Sequence, residues 1–203
     1  MKNIALFASG SGTNAQNIIE FFNKDNTAQV VAVFCNNPKA YVIERCRLLG
    51  VPCVIFNRND FYTSGKVIEL LKAFEADYVV LAGFLWLVPD SLVKEYPGKI
   101  INIHPALLPN YGGKGMYGMH VHEAVIAAGE TKSGITIHKV DEHYDSGDII
   151  FQAEVEITPG DTPEQLAAKI HDLEYRHFPH AIRSFIEYGE VKHSLLDASD
   201  EDA

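Results

Sequence analysis

Cations are scarce in this chain: 17 Lys and Arg stand against 27 Asp and Glu, a formal net charge of −10 over 203 residues. With no excess of Lys and Arg to neutralise phosphates, the composition argues against general nucleic-acid binding. Cysteine is scarce too. Cys35, Cys46 and Cys53 form no Cys-x-x-Cys pair and leave one odd thiol, which predicts a reduced, cytoplasmic setting rather than a disulfide framework. No apolar run approaches the roughly 20 residues of a membrane span. The N-terminus runs straight into a strand pattern with only Lys2 as a basic residue, so neither a signal peptide nor a membrane partner is expected. A Gly-x-Ser-x-Gly elbow is missing, as is any ligand-spaced His/Cys/Asp/Glu cluster. Serine-nucleophile and metal chemistry are therefore not expected.

What is present is an ordinary globular composition, 47% apolar and 22% charged, in a length that buries a full core. Residues 3–8 are a continuous apolar run, the mark of a strand covered on both faces. A glycine-rich turn, Ser9-Gly10-Ser11-Gly12-Thr13-Asn14, leads into helical periodicity from Ala15 to Phe22. Strand, turn and helix in that order gather free backbone N–H groups around an anion site. Thr13 or Asn14 is the expected N-cap. Gly10-x-Gly12-x-x-Ala15 fits a relaxed dinucleotide fingerprint, which also wants an acid after the second strand. The second strand, 30–35, ends instead in Asn36-Asn37-Pro38. One phosphate monoester therefore suits the turn better than NAD, and a ligand-free tight turn is the alternative.

Helices around 41–49 and 65–75 alternate with strands at 53–56 and 78–82. This predicts a single α/β, Rossmann-like domain with a mainly parallel twisted sheet. Residues 133–140 and 149–157 read as an antiparallel pair, the first half-exposed. Pro163 opens a long C-terminal helix with Leu166, Ile170 and Leu173 on its buried face and Glu174 at the border. Pro179 kinks or ends it. The acidic stretch 191–203 is expected to be disordered.

The chemistry centres on Ile100-Ile101-Asn102-Ile103-His104-Pro105. Asn102 and His104 stand two apart on a strand, so an amide and an imidazole share one face at the sheet edge where ligands bind in open α/β folds. The segment 83–89, Gly-Phe-Leu-Trp-Leu-Val-Pro, is either packing or a wall for a flat heterocycle. The glycine-rich stretch 110–119 is a lid candidate. His120 and His122, at i and i+2 on a helix, do not share a face and so do not suit a metal. His120 is expected at the site and His122 at the helix terminus. The acidic loop 141–148 is either solvated or folds Asp145 in to meet His104. With Asn102 and His104 stabilising an oxyanion, and Asp145 raising the His104 pKa and taking a proton, the set suits direct attack of a substrate amine on a carbonyl.

Gly-Ser-Gly-Thr-Asn at 10–14, Leu-Ala-Gly-Phe at 81–84, Asn-Ile-His-Pro-Ala-Leu-Leu-Pro at 102–109 and Asp-x-Gly at 145–147 together resemble the folate-dependent formyltransferases, from residue 1 to about 190. The resemblance implies transfer of the formyl group of 10-formyltetrahydrofolate, a co-substrate, to the amine of glycinamide ribotide, a step of purine biosynthesis. It implies a formyltransferase domain over 1–190, its first half binding the ribotide phosphate and its second half the folate. Asn102, His104 and Asp145 would be catalytic. Ser11, Gly12, Thr13 and Asn14 would take the phosphate, and Glu174 the ribose or glycinamide end. Leu85, Trp86, Leu87, Val88, Asn102, Asp141, Glu142, His143, Tyr144 and Asp145 would frame the folate. No metal is implied; the partners would be small molecules, and a homodimer is allowed. The chain departs from the pattern in three places. Trp86 stands where many relatives carry arginine, the region 58–64 is short, and the loop 111–118 is long; Arg58 is the candidate for the folate tail. A 10-formyltetrahydrofolate hydrolase and a non-catalytic nucleotide-binding module are the alternatives.

Overall fold

The computed structural model describes residues 1–141, 145 and 147–189. Glu142, His143, Tyr144 and the acidic stretch 191–203 lie outside the described residues. The chain forms two compact units, Met1–Asn102 and Ile103–Ala203.

In the first unit, β1 (Lys2–Ala8), α1 (Thr13–Asp25), β2 (Ala28–Cys35), α2 (Val42–Leu49) and β3 (Cys53–Ile55) follow one another. They are succeeded by α3 (Arg58–Tyr62), α4 (Lys66–Ala73), β4 (Tyr78–Leu81), α5 (Asp90–Glu95) and the start of β5 (Ile100–His104). The strand order is β3-β2-β1-β4-β5, all parallel. Parallel strands need helical crossovers, and the buried runs Ile4–Ala8 and Ala32–Cys35 are what such double coverage selects. Phe7 stacks on Phe34 with ring centroids 5.0 Å apart, and Phe56 and Phe84 meet Phe7 edge-on at 5.8 and 5.3 Å. The N-cap of α1 falls ahead of Thr13 and Asn14, the expected caps. It is Gly12, one residue before Thr13, in a left-handed conformation with no side-chain cap. The thiols of Cys46 and Cys53 lie close enough to perturb each other's titration, a proximity across the α2–β3 turn that their sequence spacing did not announce.

In the second unit come α6 (Met119–Ala127), β6 (Lys132–Lys139), β7 (Ile149–Glu156) and α7 (Pro163–Tyr188). The strands β6 and β7 pair antiparallel as expected. β6, however, is buried on both faces rather than half-exposed. Gly134 lies so close to its partner strand that a Cβ there would sit 2.0 Å from the Ala153 carbonyl oxygen. Gly134→Ala is expected to cost about 1–3 kcal/mol through forced strand separation, read as a lower urea midpoint. Thr162 and Gln165 form a capping box at α7, with Pro163 in the first turn. Pro179 does not end the helix, which continues to Tyr188. Leu166 and Ile170 are buried as expected, but Leu173 is only half-buried; the buried stripe runs instead through Glu174 and Phe178. Among the described residues no helix is long and apolar enough to cross a membrane.

Candidate active site

Asn102 and His104 flank Ile103 in the last three positions of β5, which ends before the Pro105 turn. Asn102 is half-buried and His104 only 3% exposed. The ring of His104 is held through one nitrogen. Its Nε2 lies 2.8 Å from the Tyr111 carbonyl oxygen. A carbonyl only accepts, so Nε2 carries the proton and Nδ1 is the nitrogen left for chemistry. Nδ1 faces Asp145 Oδ2 at 3.6 Å. Asp145 is therefore turned inward to His104.

Asp145 sits in a left-handed conformation, φ 51°, with its side chain 12% exposed. Its Oδ2 accepts the Gly113 N–H at 2.9 Å, and its Oδ1 lies 3.6 Å from His138 Nε2. His138 in turn gives its Nδ1 proton to the Lys139 carbonyl at 2.8 Å. Two imidazoles thus each spend one N–H on the backbone and turn the other nitrogen to the same carboxylate. Burial pushes the Asp145 carboxyl up, yet His138, His104 and the Gly113 N–H together hold it below the usual carboxylate range.

For His104 the balance runs the other way. Burial depresses its pKa below the ordinary 6.5, and the opposing pull of Asp145 and the Tyr111 carbonyl does not restore it. The expectation that Asp145 would leave His104 raised is corrected: the carboxylate acts in that direction, but desolvation wins.

The turn after β5 is fixed from β6. Thr136 Oγ1 donates to the Ala106 carbonyl at 2.6 Å and accepts from the Leu108 N–H at 2.9 Å, while Gln152 Nε2 reaches the Leu108 carbonyl at 3.0 Å. Neither His138 nor this clamp was picked out from the sequence. The signal was there: Thr136 and His138 repeat on β6 the two-residue polar spacing of Asn102 and His104.

The two α6 histidines exchange their expected roles. His120 is exposed and pairs with Glu123 on its own helix at 3.4 Å. His122 is buried, with no hydrogen-bond partner on Nδ1, in the electrostatic reach of His171, Glu174 and His104. Glu174 is 5% exposed and binds His171 Nδ1 at 2.9 Å. Burial holds His122 below 6.5, whereas the bond to Glu174 raises His171. These directions set a stability prediction. Groups depressed in the folded state favour folding above 6.5 and cost stability as pH falls below it, because the unfolded chain binds the proton first; a raised group does the reverse. With His104 and His122 against His171, the unfolding free energy from urea titration is expected to be lower at pH 5 than at pH 7.

In the first unit, the turn at 9–14 is tightly anchored. Ser9 N–H bonds the Gly83 carbonyl at 3.0 Å, Ser9 Oγ accepts the Leu85 N–H at 3.0 Å, and Arg45 Nε donates to the Ser11 carbonyl at 2.8 Å. Gly12 has φ 76°, and a Cβ there would meet Val42 at 2.3 Å. Only glycine fits, and the first-turn N–H groups of α1 have no intrahelical acceptor. In the segment 85–88, Leu85 is exposed, Trp86 half-buried and Val88 buried. Trp86 borders a cavity of about 420 Å³ with Asn36, Phe56, Asn57, Arg58 and Asp60. The Arg58 guanidinium lies 4.8 Å from the Trp86 ring centroid, a cation–π contact. Among the described residues no group of three or more His, Cys, Asp or Glu is placed to hold a metal ion.

Comparison with known proteins finds the family described as Formyl transferase matching residues 2–182. A phosphoribosylglycinamide formyltransferase of Bacillus subtilis is 37% identical over 92% of this chain and 95% of its own length. The chloroplastic phosphoribosylglycinamide formyltransferase of Vigna unguiculata is 39% identical over 92% of this chain. The chain spans 61% and 66% of the length of the two plant relatives, from Vigna unguiculata and Arabidopsis thaliana. Among solved structures, glycinamide ribonucleotide transformylase 1 from Symbiobacterium toebii superposes with a TM-score of 0.85 at 35% identity, covering 92% of this chain and 88% of that one. The phosphoribosylglycinamide formyltransferase of Bacillus halodurans gives 0.83 at 38% identity, covering 93% and 97%.

Proposed function

The chain belongs to the formyl transferase family, and from that premise we propose that it transfers the formyl group of 10-formyltetrahydrofolate to the amine of glycinamide ribotide, yielding formylglycinamide ribotide and tetrahydrofolate. The observation that carries this reading is the ring orientation of His104: Nε2–H spent on the Tyr111 carbonyl and Nδ1 turned to Asp145, two residues along the strand from Asn102.

In this reading the amine attacks the formyl carbon directly, and the Asn102 amide donates to the oxyanion that develops. His104, neutral because burial depresses it, takes the proton lost by the amine on Nδ1. The imidazolium so formed is stabilised by the Asp145 carboxylate. It then returns the proton to the departing folate nitrogen as the carbon–nitrogen bond breaks. His138 and the Gly113 N–H hold Asp145 ionised and aimed.

The turn residues Ser11, Gly12, Thr13 and Asn14 take the ribotide phosphate on backbone N–H groups, and Glu174 takes the ribose or glycinamide end. Leu85 to Val88 and Asp141 to Asp145 frame the folate, with Arg58 beside Trp86 for a tail carboxylate. The aromatic wall and single cation of the Trp86 cavity suit such a group. Residues 1–190 form the catalytic domain, and the protein needs no metal.

Purified protein given both substrates tests this. Tetrahydrofolate formation that requires glycinamide ribotide supports the reading. Formate release with no amine acceptor would make the protein a hydrolase, and tight NAD binding without turnover would make it a binding module.

A further inference from the structure

One chain of contacts to His104 begins well outside the reacting groups. Tyr111 has φ 56°, a left-handed conformation that is uncommon and strained for a bulky residue. Its carbonyl accepts from His104 Nε2, while its hydroxyl donates to Glu130 Oε1 at 2.7 Å. Glu130 is itself fixed just beyond α6, where its N–H bonds back to the Val125 carbonyl at 3.4 Å. The neighbouring backbone is close-packed. A Cβ on Gly112 would lie 2.6 Å from Leu108 and 3.3 Å from Asp145 Cβ, and the next N–H, of Gly113, is the one that binds Asp145.

A strained backbone persists where its surroundings hold it there, and at Tyr111 the holding group on the outer side is Glu130. We propose that Glu130 and the Tyr111 hydroxyl are positioning residues: their bond locks Tyr111 so that its carbonyl fixes His104 as the Nε2–H tautomer and leaves Nδ1 to Asp145. Neither residue is among those assigned to substrate. Both act through a backbone carbonyl, and the long glycine-bearing loop after β5 gains a role as the carrier of that carbonyl. The kinetic part of the inference rests on the proposed function; the tautomer part does not.

The experiment uses the full chain, labelled with ¹⁵N at histidine, as wild type and as Tyr111→Phe, Glu130→Ala and Glu130→Gln. Long-range ¹H–¹⁵N spectra across a pH series report the tautomer and titration of His104. The wild type is expected to show Nε2 protonated and Nδ1 bare. In Tyr111→Phe and Glu130→Ala the two nitrogens should move toward a mixture. His104 should titrate at lower pH, because the carbonyl bond that favours its charged form is loosened. The groups facing His104, namely Asp145, His138, His122 and Glu174, are unchanged in every variant, so a shift is assignable to the carbonyl. With both substrates, kcat is expected to fall about tenfold while KM for the amine stays within about twofold. Glu130→Gln, which keeps an acceptor oxygen, should stay within about twofold of wild type, and the double variant Tyr111→Phe/Glu130→Ala should be no worse than either single.

An unchanged His104 tautomer and titration in both Tyr111→Phe and Glu130→Ala would overturn the proposal, whatever the rates. So would a loss confined to KM. If the spectra move as expected while the wild type transfers no formyl group, the positioning role stands and the proposed function is what fails.

Discussion

His104→Ala is expected to lower kcat for formyl transfer by about 10²–10⁴-fold, the range that a positioned proton-transfer group supplies. The side chain is buried, with Nε2 bound to the Tyr111 carbonyl and Nδ1 turned to Asp145, so no nearby residue replaces it without moving the strand. The pH dependence carries more information than the rate. Nδ1 must be bare to accept the amine proton, and burial sets its titration below the ordinary 6.5. Wild-type kcat should therefore climb with pH on the acid side of 6.5 and level off above it, and the alanine variant should lack that limb. Steady-state rates across the acid range decide the matter. A wild-type rate that falls as pH rises through that window would mean that His104 works as a cation, and the proton-acceptor assignment would be lost.

Asp145→Asn is the second large effect, again about 10²–10⁴-fold in kcat. The amide is nearly isosteric, and its oxygen can still accept the Gly113 N–H, so the loop keeps its shape. What disappears is the negative charge 3.6 Å from His104 Nδ1 and 3.6 Å from His138 Nε2. The imidazolium formed during transfer then has no counter-charge, and with the amide oxygen kept on the Gly113 N–H the amide nitrogen turns to His138 Nε2 instead. Because the carboxylate pulls the His104 pKa upward against burial, its removal should lower that pKa further and move the acid limb of the rate profile to lower pH. An Asn variant with near-normal kcat would remove Asp145 from the catalytic set. Full activity with a shifted profile would reduce it to tuning His104.

Where the sequence was legible, it was so through short-range rules. The period of two on β5 put Asn102 and His104 together, and the apolar runs of β1, β2 and β4 announced a parallel sheet. The Pro163 start of α7 was visible for the same reason, since a first-turn proline is a local signal. The two short helices were not. The five residues of α3 and six of α5 are too brief to show a period, although α3 does carry an Asn57…Asp60 capping box. His138 escaped because β6 was read as half-exposed, whereas burial on both faces makes a polar residue there a partner rather than a surface group. Tyr111 left no trace at all: it acts through its carbonyl, and a backbone atom has no letter in the sequence. The α1 cap was misplaced because Gly12 takes the position by conformation instead of by a side-chain hydrogen bond.

Trp86 is the sole indole in the chain, and it sits at the rim of the cavity with Arg58 against its ring and Phe56, Phe61, Tyr62 and Phe84 around it. The molecule consequently carries a single-site optical reporter. Emission excited at the red edge of indole absorption arises from this one spot, free of the averaging that several fluorophores impose. Displacing the guanidinium, or seating an aromatic ligand there, should change its intensity, and occupancy could then be followed in real time without dye or label.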